Sequence, residues 1–144
     1  MLHEVAAALI VRSGQILLGK RSAERALYPD VWDLFGGHVE PGEDLQQTLR
    51  RELDEELGIT PSEWTFIETL TLDLPLAHDG PADLIIVHLY LVTAWTGTPL
   101  NRQPEEHSTI DWFTLEQAVT LPLADPTYPA LFAKYLPPAP TSGN

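Results

Sequence analysis

Residues 44–58, DLQQTLRRELDEELG, constrain this chain more than any other stretch. Leu45, Leu49, Leu53 and Leu57 recur every four residues, the spacing of one helical face. Gly58 is a helix stop. A helix is therefore expected over Asp44–Leu57, with a leucine stripe that must pack on something flat and apolar. At about 100° per residue, Glu52, Glu55 and Glu56 share an arc of roughly 100° beside that stripe, while Asp54 points away. Three carboxylates thus sit on the rim of the packing face. Glu52 and Glu56 repel each other at i, i+4, burial raises the cost, and the helix C-terminal half is the wrong end for anions. Such a local inconsistency tends to mark a functional site. A cluster of oxygen ligands suits a hard cation, Mg²⁺ first and Mn²⁺ next. The competing reading is a solvated acidic helix face.

The flanking sequence supplies candidate partners for that helix. His3–Arg12 and Gln15–Arg21 read as a hairpin turning at Ser13-Gly14. A polar loop follows over Ser22–Asp30, then a short apolar segment, Val31–Phe35. GGHVEPGE (residues 36–43) carries three glycines and a proline and is expected to be irregular. Trp64–Leu74 and Leu84–Ala94 are strand-like, joined by a turn-rich loop containing His78 and Asp79. After a polar loop over Thr96–Ser108, Ile110–Phe113 reads as a strand. Thr114 is an N-cap for a helix over Leu115–Leu121, with Gln117 completing a capping box. A last short helix follows Pro126, and PPAPTSGN (137–144) is expected to be disordered. Strands, one helix, strands and C-terminal helices imply an α/β (α+β) sandwich with a mixed sheet in one domain, 1–136.

Bulk properties exclude several classes. With no cysteine there is no disulfide, thiolate metal site or cysteine nucleophile. The N-terminus lacks a basic leader, and a cytoplasmic location is the expectation. A net charge of −13 repels nucleic acids and anionic membranes, so neither is expected as a partner. It also repels phosphates, so phosphate chemistry here needs metal ions and local cations. Lys20, Arg21 and Arg25 are the candidates to hold a phosphate, with ordinary surface charge as the competing reading, and Arg21 is the one preferred.

The loop and helix together resemble the Nudix box at every fixed position: Gly37, Glu43, Arg51-Glu52-Leu53, Glu55-Glu56 and Gly58-Ile59. Strands before the box and the pair Trp112-Phe113 before a late helix are also similar to that family. The resemblance implies a Nudix-type α/β/α sandwich and hydrolysis of a phosphoanhydride bond in a nucleoside diphosphate derivative. It implies divalent metal on Glu52, Glu55, Glu56 and the Gly36 carbonyl, with Glu43 and Gly58 supporting the box and Arg51 orienting its carboxylates. Glu106 resembles a loop glutamate that assists catalysis in nucleotide-sanitising members, with Glu105 as its rival. Glu52 is the first candidate general base, ahead of Glu55 and Glu106. Gly37, His38 and Trp32 are candidate substrate contacts, although core packing also suits Trp32.

A small-molecule nucleotide is thus the expected substrate, and a (d)NTP or modified (d)NTP the preferred one. Phe35 stands where the antimutator branch commonly has proline, and Pro75 lies near a proline of ADP-ribose-hydrolysing members. LLGKRS resembles the start of a coenzyme A motif whose remainder is absent. ADP-ribose or another nucleotide sugar is the alternative substrate. A non-catalytic nucleotide sensor is the alternative class, and a homodimer is left open. An isopentenyl diphosphate isomerase would need a cysteine, and a decapping enzyme a basic tract.

Overall fold

The structure is a computed structural model that describes residues 2–25, 29–74 and 83–137. His78, Asp79, Pro75 and the segment 138–144 lie outside these residues.

Strand β1 (Leu2–Arg12) is the centre of the architecture. It runs antiparallel to β2 (Gln15–Arg21) and parallel to β6 (Asp83–Thr96), which pairs in turn with the edge strand β5 (Thr60–Leu74). The hairpin partners β1 and β2 stay together only near the turn, from Ile10↔Leu17 to Arg12↔Gln15. They then splay. The edge released on β2 is taken by β3 (Trp32–Asp33) and that on β1 by β4 (Phe35–His38), both antiparallel. Strand β7 (His107–Phe113) covers the other side of β2. The result is a seven-stranded mixed sheet with a fork between β1 and β2.

Side-chain alternation on β1 sends successive residues to opposite faces. Ala6, Ala8 and Ile10 meet Leu49, Leu53 and Leu57 of helix α1 (Leu45–Leu57). Ala7 and Leu9 face the opposite cluster, built on Tyr128, Leu131 and Phe132 of α3 (Tyr128–Tyr135) and Ala118 of α2 (Leu115–Ala118). Helices therefore cover both faces of one sheet, the expected α/β/α sandwich. Full burial of Leu49, Leu53 and Leu57 stabilises the fold by about 1.5–3 kcal/mol per side chain.

Helix α1 is closed at both ends. The Asp44 carboxylate accepts from Gln47 N–H at 2.8 Å, and the Gln47 side chain accepts from Asp44 N–H at 2.8 Å. Gly58 ends the helix in the left-handed region, φ 72°, with its N–H donating to Asp54 O. Backbone N–H groups of Leu100 and Arg102 donate to the carbonyls of Leu57 and Glu56.

Three local expectations need correction. Phe35-Gly36-Gly37-His38 is strand β4, not irregular loop, because the splayed edge of β1 offers it a ladder. Strands β5, β6 and β7 run beyond their expected limits, to Thr60, Thr96 and His107, where backbone pairing continues past the apolar pattern. Helix α2 stops at Ala118, because Thr120 and Leu121 donate to Gln117 and Ala118 three residues back, tightening the last turn.

Candidate active site

The sheet fork holds a cavity of about 690 Å³. Its floor is the α3 side of β1 and β6, including Val5, Ala7, Ile85 and Val87, while Glu52 and Glu56 reach it from α1 on the other face. They can do so because β4 is the element between. Glycine is required there by close approach: a Cβ on Gly36 would lie 2.6 Å from Ala7 Cα, and one on Gly37 would occupy the space of the Glu52 carboxylate. The double glycine therefore serves as a gap in the sheet through which helix carboxylates enter the cavity.

Glu56 is 5% exposed and accepts a hydrogen bond from Gly36 N–H at 3.2 Å. Burial first, then the charges of Glu52 and Glu106, push its carboxyl up to about 9. Burial also raises Glu52, against the pull of Arg51, with Glu55 and Glu106 adding to the rise. A buried Glu56 whose ionisation is opposed by a partly buried Glu52 in the same cavity fits a hard cation, whose charge would make both ionised forms tolerable.

Arg51 organises the approach to this pair. Its Nε donates to Glu43 at 2.8 Å, and its Nη atoms to Glu43, Glu52, Glu55 and the His38 carbonyl at 2.8–3.3 Å. The arginine holds Glu43 down to about 2, with help from Glu40 N–H and the Thr48 hydroxyl. The glycine-proline turn is thereby tied to α1.

Of the sequence-derived candidates, Arg21, Gly36, Gly37, His38, Glu52, Glu56 and Glu106 line one cavity. Glu55 is turned to Arg51 and is 46% exposed. Among the described residues no three acidic or histidine side chains converge as a ready metal-ligand set. Glu43, Arg51 and Gly58 support the helix from outside the cavity. Trp32 packs edge-to-face on Phe113, ring centroids 4.9 Å apart, and is not part of the lining.

Several cavity groups carry no signal in the sequence. Asp33 Oδ1 accepts from Tyr128 OH at 2.8 Å and from Leu34 N–H at 2.7 Å, with Arg21 3.6 Å from Oδ2. Burial raises the Asp33 carboxyl despite these donors. His107, 5% exposed, rests against Phe35 with Nδ1 unpartnered; burial, then Arg25 and Arg21, push its imidazole down to about 4. A charged residue beside a buried tyrosine from a distant helix leaves no fixed spacing to find.

A sandwich with a carboxylate helix behind a double-glycine strand matches a known class over nearly its whole length. The NUDIX domain profile covers residues 1–135. The chain belongs to the Nudix family and is a Nudix hydrolase. It is 36% identical over 132 residues to CTP pyrophosphohydrolase of Escherichia coli K12, covering 90% of this chain and 89% of that protein. It is 35% identical to nucleoside triphosphatase NudI of an Enterobacter species, covering 83% and 86%. Among solved structures, a MutT Nudix hydrolase from Burkholderia pseudomallei superposes with a TM-score of 0.72 at 32% identity, covering 81% of this chain and 86% of its own. The E. coli ORF135 protein superposes with a TM-score of 0.68 at 34% identity, covering 92% and 86%. Among the described residues no helix is long and apolar enough to cross a membrane.

Proposed function

We propose that this enzyme hydrolyses a nucleoside triphosphate, or a modified one, to the monophosphate and pyrophosphate, with Mg²⁺ or Mn²⁺ held by Glu52 and Glu56. The observation that carries this reading is the meeting of those two carboxylates with Arg21 in one cavity of about 690 Å³. The Gly36 carbonyl and Glu55 complete the proposed donor set, Glu55 after leaving Arg51. A cation there supplies charge neutralisation on the phosphates and a lowered pKa for an adjacent water.

The protein's own groups do the rest. Glu52, positioned by Arg51, is the first candidate to take a proton from the attacking water. Glu106 is the second candidate for that role. Arg21, with Gly37 and His38 at the β4 side, holds the phosphates, and the apolar floor accepts the nucleoside. The names of the relatives favour a triphosphate over ADP-ribose.

The test is a panel of nucleoside triphosphates, ADP-ribose and nucleotide sugars with Mg²⁺, with products separated by anion exchange. Release of pyrophosphate and a mononucleotide, abolished by EDTA and restored by Mg²⁺, is the expected result. Preferential cleavage of ADP-ribose would overturn the substrate assignment. Binding without turnover of any compound would favour a sensor.

A further inference from the structure

The cavity is electrostatically hostile to the ligand proposed for it. Among its described lining residues are six carboxylates (Asp33, Glu40, Glu52, Glu56, Glu106 and Asp125) and two guanidiniums, Arg21 and Arg25. The two arginines are held differently. Arg21 is 16% exposed and faces Asp33 at 3.6 Å, deep in the wall. Arg25 is 33% exposed and faces Glu106, 41% exposed, at 3.9 Å, a loose contact beyond hydrogen-bond distance.

Their backbones are fixed side by side. Ser22 N–H donates to Glu106 O at 2.9 Å, Ser22 Oγ to Glu105 O at 3.0 Å, and Arg25 N–H to Ser22 O at 3.2 Å. The two side chains therefore share one rim of the cavity whatever they bind. Glu106 lines the same cavity as Glu52 and Glu56.

We propose that Arg25 is a phosphate-binding residue, parked on Glu106 in the free protein and exchanged onto the substrate's polyphosphate, so that binding releases Glu106 to the Glu52–Glu56 cluster. The proposal rests on reading the cavity as a nucleotide polyphosphate site. A polyphosphate offers a guanidinium several charged oxygens and bidentate geometry. A half-exposed carboxylate at 3.9 Å competes poorly with that. Substrate and cation binding then become mutually reinforcing, because the anion removes the counter-charge that occupies Glu106.

The experiment compares the full-length protein with Arg25→Gln, Glu106→Gln and the double variant. Mn²⁺ binding without nucleotide is followed by electron paramagnetic resonance, and inorganic tripolyphosphate binding with Mn²⁺ by calorimetry. Arg25→Gln is expected to tighten Mn²⁺ by about twofold to fivefold, the ceiling set by a half-exposed ion pair. That gain should vanish in the double variant. The same substitution should weaken tripolyphosphate by about tenfold, as loss of one charged hydrogen-bonding partner does. For whichever nucleotide is turned over, KM should rise with kcat changed little. Unchanged tripolyphosphate affinity would show Arg25 to be only a counter-ion of Glu106. Unchanged Mn²⁺ affinity would show that Glu106 is not released to the cluster. Either result overturns the exchange. If no nucleotide is hydrolysed, the proposed activity fails, while these two binding measurements still decide the exchange.

Discussion

Adjacent glycines on β4 allow a test in which sterics alone separate folding from turnover. Gly37 lies outside the left-handed region, and the nearest atoms to an added Cβ are those of the Glu52 carboxylate, with Oε2 at 2.7 Å and Oε1 closer. Ordinary contact begins near 3.4 Å. In Gly37→Ala the carboxylate must therefore retreat by about 1 Å, which the far end of a side chain can do by giving up its hydrogen bond from Arg51. Displacement of a reacting group by about 1 Å costs on the order of 100-fold in rate. The expected loss is thus about 100-fold in kcat, or ~2.7 kcal/mol of transition-state stabilisation. Stability should change little, because replacing glycine gains about 0.4–1 kcal/mol through the unfolded chain. Gly36→Ala should behave oppositely, since its Cβ would strike the backbone of Ala6 and Ala7, which cannot move without breaking the β1–β4 ladder. Pyrophosphate release measures kcat, and urea titration measures stability. A Gly37→Ala enzyme with wild-type kcat and an intact fold would refute the placing of Glu52 in the reaction.

Further consequences concern the buried charges. Glu56 is pushed from 4.5 to about 9 by folding, so the metal-free folded state holds a proton that the unfolded chain has lost. Its contribution favours folding below pH 4.5 and is lost as pH rises toward 9. Glu56→Gln should therefore raise the Tm of metal-free protein at pH 8 and leave it nearly unchanged at pH 4; equal shifts at both would contradict the assigned burial. Glu43 is depressed to about 2, so its contribution is full above pH 4.5 and disappears as pH falls through 2. Arg51→Lys, which loses the planar fork to Glu43 and the His38 carbonyl, should lower Tm at pH 7 with the deficit shrinking in acid, as scanning calorimetry would show. Tyr128→Phe leaves the largely buried Asp33 short of one donor and should cost about 1–3 kcal/mol in urea denaturation. No loss would mean that water replaces the hydroxyl.

Much of this was legible in the sequence. Leucine periodicity and Gly58 place α1 to within a residue of its observed start. The spacing of Glu52, Glu55 and Glu56 marks the helix as a candidate site from residue order alone. Helical and strand periods are local properties of the backbone, so residues alone reveal them. The family identity rests on equally local spacing and extends to the whole domain.

What tertiary structure decided was which local features meet. The double glycine reads locally as a loop, yet it is a strand, because its partner β1 lies some thirty residues earlier and is freed only where the hairpin splays. The helix phase puts three glutamates on one rim, but Arg51 draws Glu55 outward while β4 lets Glu52 and Glu56 through. Asp33 and Tyr128, or Arg25 and Glu106, lie far apart in sequence and share no period, so only the folded chain brings them to one cavity. Local chemistry is written in residue order; the field that tunes it depends on burial and neighbours, which exist only once the chain has closed on itself.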